Sequence, residues 1–237
     1  MHIDKTRSHL GPFHLGENLM KITVNCVELN YQIIGKGYPL ICLHGNGEDL
    51  SIYLELSETL KDHFMLYLID SRNHGESSKH DEISYDHMAE DIKEFIIKNN
   101  LMKPYLFGFS DGGILGLILA MKYPDLLGRL MVAGVNMSPK GFKKKVFNAL
   151  FKHYQKTKDP LYSLMLQEPN IPFYRLKQVK ISTCILVGEK DMIRLKHTKA
   201  IAKHIKHAKL IIFEGKNHDN YVVHQTFLTP YILDFFK

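Results

Sequence analysis

The residues with the clearest chemical potential lie in the stretch LFGFSDGG, Leu106 to Gly113. Gly108 and Gly112 flank Ser110 at the spacing G-x-S-x-G. A serine hydroxyl is a weak nucleophile until a base removes its proton. A tight strand–turn–helix bend presents such a serine and needs small neighbours, because the backbone packs closely there. Gly108, Gly112 and Gly113 supply them. An apolar strand-like run precedes Ser110, and a buried helix-like run, GGILGLILAMKYP, follows it. The helix would aim its first N–H groups at the point where an oxyanion forms.

Histidine is the usual base, because its pKa lies near neutrality. The chain has 14 histidines, so position must choose among them. His218 follows the last apolar strand, in LIIFEGKNHDNY. His204, His207 and His224 lie in helical or polar surroundings and read as solvated. A carboxylate should orient the imidazole. Asp191 follows the strand CILVGEKD at a sheet end, and Glu189, two residues earlier, is the rival.

The elements that would position these groups follow from apolar periodicity. Residues 21–34 alternate as a strand, and IIGKGYP reads as a hairpin turn. PLICLHG, FMLYLID, PYLFGF, LGRLMVAGV, STCILVGE and AKLIIFEG read as strands, most of them buried. Tyr53 to Lys61 can form a helix. Met88, Ile92, Phe95 and Ile96 recur at helical spacing between Tyr85 and Asn99, with Ser84 as N-cap. Buried strands alternating with helices imply a mostly parallel sheet covered on both faces. Ligands then bind beyond the carboxyl ends of the strands. His44 to Gly47, Asp70, Ser110, Glu189, Asp191 and His218 all lie there.

The rhythm breaks between residues 136 and 179, which read as a small helical insertion. The core is then 20–135 and 180–237. Residues 1–19 are polar and precede Met20, and they read as an extension or tag-like segment with no secretory signal. In the insertion, Phe142, Val146, Ala149, Leu150 and His153 share a helical face, and lysines 143, 144, 145, 152 and 156 crowd much of the rest. The simplest reading is a solvated amphipathic helix. A lid over an acyl pocket is the alternative, with Met137, Leu164, Met165 and Phe173 as lining candidates or core residues.

Composition sets limits. Apolar residues make up 45% and charged residues 24%, as in an ordinary globular chain. The net charge of +6 permits nucleic-acid binding, but no finger spacing, RNA-binding signature or Arg-rich run accompanies it. No stretch approaches the roughly 20 apolar residues of a membrane span, so stable membrane insertion is not expected. Cys26, Cys42 and Cys184 each lie in strand-like stretches and read as free thiols, which suggests the cytoplasm. No metal-ligand spacing is visible.

GFSDGG, LHGNG, DSRNHGES, VGEKD and GKNH, in this order, resemble the α/β-hydrolase superfamily from about Met20 onward. The resemblance implies the α/β-hydrolase fold with a short helical cap. It implies Ser110 as nucleophile, Asp191 as acid and His218 as base, with the backbone N–H groups of Asn46 and Asp111 as oxyanion hole. No metal or organic cofactor is implied. Asn73 stands where the family's loop usually has glycine, and the proline that usually follows the acid is missing. Relatives with aspartate at the elbow, the epoxide hydrolases and haloalkane dehalogenases, do not fit Ser110. Elbows reading SDGG occur in relatives that hydrolyse amino-acid esters. Contact with a cationic substrate is therefore the alternative to a helix-capping role for the Asp111 carboxylate. His44, Arg72 and His74 are expected to fix loops.

The expected activity is hydrolysis of a small carboxylic ester through an acyl-enzyme on Ser110. Carbon–carbon bond hydrolysis with the same triad is the alternative, with a weakly catalytic ligand-binding receptor behind it. Thioesters and lactones stay open, and oligomeric state is not written in the sequence.

Overall fold

The computed structural model describes residues 19–237. The extension expected over residues 1–19 lies outside them, apart from Leu19, which starts the first strand. Eight strands form one sheet: β1 (Leu19–Val24), β2 (Val27–Gly35), β3 (Tyr38–Leu43), β4 (Phe64–Ile69), β5 (Tyr105–Phe109), β6 (Leu130–Ala133), β7 (Thr183–Gly188) and β8 (Ala208–Phe213). Their order is β1-β2-β4-β3-β5-β6-β7-β8. β1, β2 and β4 pair antiparallel, and every pair from β4–β3 onward is parallel.

Among the described residues, seven α-helices accompany the sheet: α1 (Leu54–Leu60), α2 (Tyr85–Lys98), α3 (Asp111–Lys122), α4 (Lys144–Thr157), α5 (Pro160–Gln167), α6 (Leu195–His204) and α7 (Thr229–Phe236). The apolar residues divide into two clusters. One includes Leu43, Ile92, Phe95 and Leu117, the other Leu40, Leu56, Phe107 and Phe236. This division follows from strand alternation, since Ile41 and Leu43 point to one cluster and Leu40 and Cys42 to the other. Ser84 caps α2 by accepting the His87 N–H, as its residue type dictates.

Two local expectations fail. Residues 21–34 are two strands, not one. Asn25 (φ 42°) and Cys26 (φ 64°) form a two-residue turn between them, and two positive φ angles match the right-handed strand twist. Cys26 is therefore exposed in a turn, whereas Cys42 and Cys184 are buried in strands. IIGKGYP is not a hairpin turn either. β2 leaves it to pair with β4, while β3 enters between β4 and β5. The turn residues are local, but the choice of partner strand is not.

Candidate active site

Six loops leave the carboxyl ends of the parallel strands, and four of them build the site. Ser110 follows β5 directly and takes φ 49°, ψ −113° as N-cap of α3. This conformation is strained for a residue with a side chain. It persists because the bend is held on both sides. The Ser110 N–H donates to Ala133 O at 2.8 Å, and Gly112 N–H donates to His44 O at 3.1 Å. A Cβ on Gly112 would lie 2.2 Å from Leu43 O, and one on Gly108 would lie 2.3 Å from Gly112 O. Only glycine allows β5 and α3 to approach so closely.

The structure brings Ser110, His218 and Asp191 into contact. His218 Nε2 is 3.1 Å from Ser110 Oγ. His218 Nδ1 is 2.9 Å from Asp191 Oδ1, which also accepts the Ile193 N–H at 2.8 Å. The imidazole fits because β6 is followed directly by Gly134 (φ 65°), where a Cβ would lie 2.6 Å from His218 Cε1. Burial pulls the His218 pKa down. The charge and hydrogen bond of Asp191, with Glu48 and Asp219 nearby, outweigh it, so the net shift is upward. Glu189 does not reach the imidazole. It is exposed and accepts the Gly215 N–H.

Among the described residues, the other histidines considered above lie away from Ser110 or serve as loop ties. Burial, aided by His74, pushes His44 down to about 3. His44 is thus a neutral loop tie, donating from Nδ1 to Gly45 O and accepting the Ser71 N–H at Nε2. His74 Nδ1 bonds Arg72 O. His207 and His224 are exposed, but His204 is half-buried and stacks on Phe173. Arg72 clasps Asp91 with two hydrogen bonds of 2.6 and 2.7 Å. Asn73, which replaces the usual glycine of its loop, adopts φ 66°. Asparagine tolerates that region, and its side chain accepts from His80 N–H and donates to His80 O. The substitution thus keeps the loop's backbone and adds two side-chain ties.

Asn46 and Asp111 meet at the elbow. The Asp111 N–H is the first of α3 and has no intrahelical partner. The Asn46 N–H donates to no backbone acceptor among the described residues. Both side chains are also engaged, which the sequence reading missed. The Asp111 carboxylate does not cap α3. It accepts from Asn46 Nδ2 at 3.0 Å and from Tyr85 Oη at 2.8 Å. Asn46 Nδ2 also reaches Leu161 O at 3.3 Å, and Tyr85 N–H donates to Glu168 Oε2 at 3.0 Å. Leu161 lies in the first turn of α5 and Glu168 just past its last residue. One buried carboxylate therefore ties both ends of α5 to the elbow. Burial raises its pKa, against the pull of its two hydrogen-bond donors. Both oxygens are engaged in a residue that is 3% exposed, so the alternative role, contact with a cationic substrate, has no open face.

Glu48 was also missed. Its Oε2 accepts the Gly45 N–H at 3.0 Å, and a Cβ on Gly45 would touch both this oxygen (2.8 Å) and Ser110 Cβ (3.1 Å). Burial pushes its pKa up to about 7, with Asp111 and Asp219 adding to the rise and Gly45 and His218 opposing it. The only signal was a carboxylate two residues after Asn46 in the HGNGE turn. Among the pocket candidates, Met137 and Leu164 are buried in the core and Phe173 packs against it. A cavity of about 240 Å³ lined by Tyr85, Met121, Glu168 and Arg175 shares no residue with the triad. The site is therefore fixed by the hydrogen-bonded groups, not by cavity size.

The chain matches a model of the alpha/beta hydrolase fold over residues 38–155. The chain belongs to the α/β-hydrolase superfamily. It is 29% identical to the mouse serine hydrolase BPHL over 83% of this chain and 79% of that one. A putative esterase/lipase of Haemophilus influenzae is 34% identical over 47% of this chain and 40% of its own length. The meta-cleavage product hydrolase of Pseudomonas fluorescens shares the fold at TM-score 0.77 and 18% identity, over 92% of this chain and 97% of that one. Among the described residues, no helix is long and apolar enough to cross a membrane.

Proposed function

We propose that this hydrolase cleaves a small carboxylic ester, with Ser110 as nucleophile, His218 as base and Asp191 orienting the imidazole. The observation that carries this reading is the continuous pair of contacts, 3.1 Å from Ser110 Oγ to His218 Nε2 and 2.9 Å from His218 Nδ1 to Asp191 Oδ1. His218 takes the Ser110 proton as Oγ attacks the carbonyl carbon. The oxyanion accepts from the N–H groups of Asn46 and Asp111, a donor of this kind typically contributing about 3 kcal/mol at the transition state. His218 then protonates the leaving alcohol. Water, deprotonated by the same imidazole, releases the acid and restores Ser110. The likeness to a serine hydrolase and to a putative esterase/lipase supports the reaction type.

Carbon–carbon bond hydrolysis has one supporting observation beyond the shared triad. The leaving carbon must be protonated, and Glu48, with its pKa pushed up to about 7, is a second proton source beside Ser110. A panel of p-nitrophenyl esters of increasing acyl length, tested on the native chain and a folded Ser110→Ala variant, decides. Native turnover that the variant loses supports the esterase. Silence toward every ester, together with cleavage of a vinylogous diketone, moves the assignment to carbon–carbon hydrolysis.

A further inference from the structure

Helix α4 departs from every other long helix of the molecule. None of its 14 residues is buried. Val146, Leu150 and Tyr154, with Phe147 and Phe151 beside them, fall on one side at i, i+4 and i+8 spacing. α5 covers part of this stripe, with His153 stacked on Tyr162 at 4.1 Å. Phe151 stays 47% exposed. Lysines 140, 143, 144, 145, 152, 156 and 158 surround it, and no acidic residue occurs from 138 to 158. All seven lysines are exposed, and none joins an ion pair among the described residues.

We infer that α4 docks the protein on an anionic lipid surface. A helix with lysines on its polar side and an exposed phenylalanine flanked by half-buried aromatics on the other has the composition of an interfacial helix. It binds through buried apolar area plus attraction to anionic headgroups. Lys144 shares a face with Phe147 and Phe151, and Lys143 and Lys158 close the two ends of the apolar stripe, so charge and aromatic surface meet the same plane. The absence of arginine from 138 to 158 argues against a nucleic-acid surface, where bidentate phosphate contacts favour the guanidinium. α4 is linked to the site through one neighbour, because α4 packs on α5 and Leu161 of α5 accepts from Asn46. The inference does not depend on Ser110 being the nucleophile.

Co-sedimentation of the full chain with vesicles tests it. The native chain should bind phosphatidylcholine vesicles containing phosphatidylglycerol, release in high salt, and ignore pure phosphatidylcholine. A Lys144→Gln, Lys145→Gln, Lys152→Gln variant should lose about a hundredfold in partitioning, from about 1 kcal/mol per lysine. Phe151→Ser should lose roughly fivefold, since its ring is half exposed beforehand. Both variants should keep the native melting temperature and ester turnover in solution, which separates lost docking from lost folding or catalysis. Failure to bind the anionic vesicles, equal binding to both vesicle types, or an unaffected lysine variant would overturn the inference. So would retention of single-stranded oligonucleotide at a salt concentration that strips the protein from vesicles.

Discussion

Helices α3 and α4 have similar lengths and opposite circumstances. α3 buries eleven of its twelve residues, and α4 buries none of its fourteen. α3 begins just after Ser110 and is wedged between β3 and β6, where single atoms decide the geometry. α4 rests on α5 and presents lysines to water. The contrast teaches that this chain packs its elbow tightly and leaves α4 at the surface. A Cβ can break the first region, and the second should tolerate most exchanges.

The comparison can be broken at its rigid end first. Gly112→Ala would put a Cβ 2.2 Å from a backbone oxygen of β3. We expect a loss above about 4 kcal/mol, the range reserved for core disruption, measured by urea unfolding. A stable variant would show that β3 and α3 are not fixed against each other. Arg72→Ala should cost about 3–5 kcal/mol, because it strands Asp91, 1% exposed, as an unpaired buried charge. An effect below about 1 kcal/mol would mean that water replaces the guanidinium.

Glu48→Gln sharpens the chemistry. Glu48 raises the pKa of His218, and in the proposed mechanism the base is the neutral imidazole. Removing the negative neighbour lowers that pKa, so the acid limb of kcat/KM should move to lower pH. An unmoved limb would show that Glu48 is protonated throughout or too far from His218 to matter. At the loose end, Leu150→Ser on α4 should cost less than about 1 kcal/mol, because the site is only half-buried. A cost like that of Arg72→Ala would show α4 to be part of the core.

How much of this was legible in the sequence depends on how local each signal is. Ser110, Asp191 and His218 stand within five residues of the ends of apolar strands, and a parallel sheet gathers such ends on one edge. Their candidacy could therefore be read without knowing the strand order. Strand partners could not be read, because pairing β2 with β4 rather than β3 is a long-range choice that the Gly35–Gly37 turn does not encode. The turn at Asn25 and Cys26 was hidden because the period-two pattern runs through it, and the left-handed backbone that places Cys26 outside is not a residue type. Asp111 and Glu48 were misread or missed for a related reason. A carboxylate beside a helix start reads as a cap, and only the fold brings Tyr85, from another helix, within 2.8 Å of Asp111.

The central claim is that Ser110 is the activated nucleophile. Its most direct test is reaction of the native chain with a fluorophosphonate, followed by mass spectrometry of the digested protein. The account predicts one adduct, on Ser110, and much slower labelling in His218→Ala at unchanged melting temperature. An adduct on another residue, or labelling of Ser110 at the same rate without His218, would contradict it.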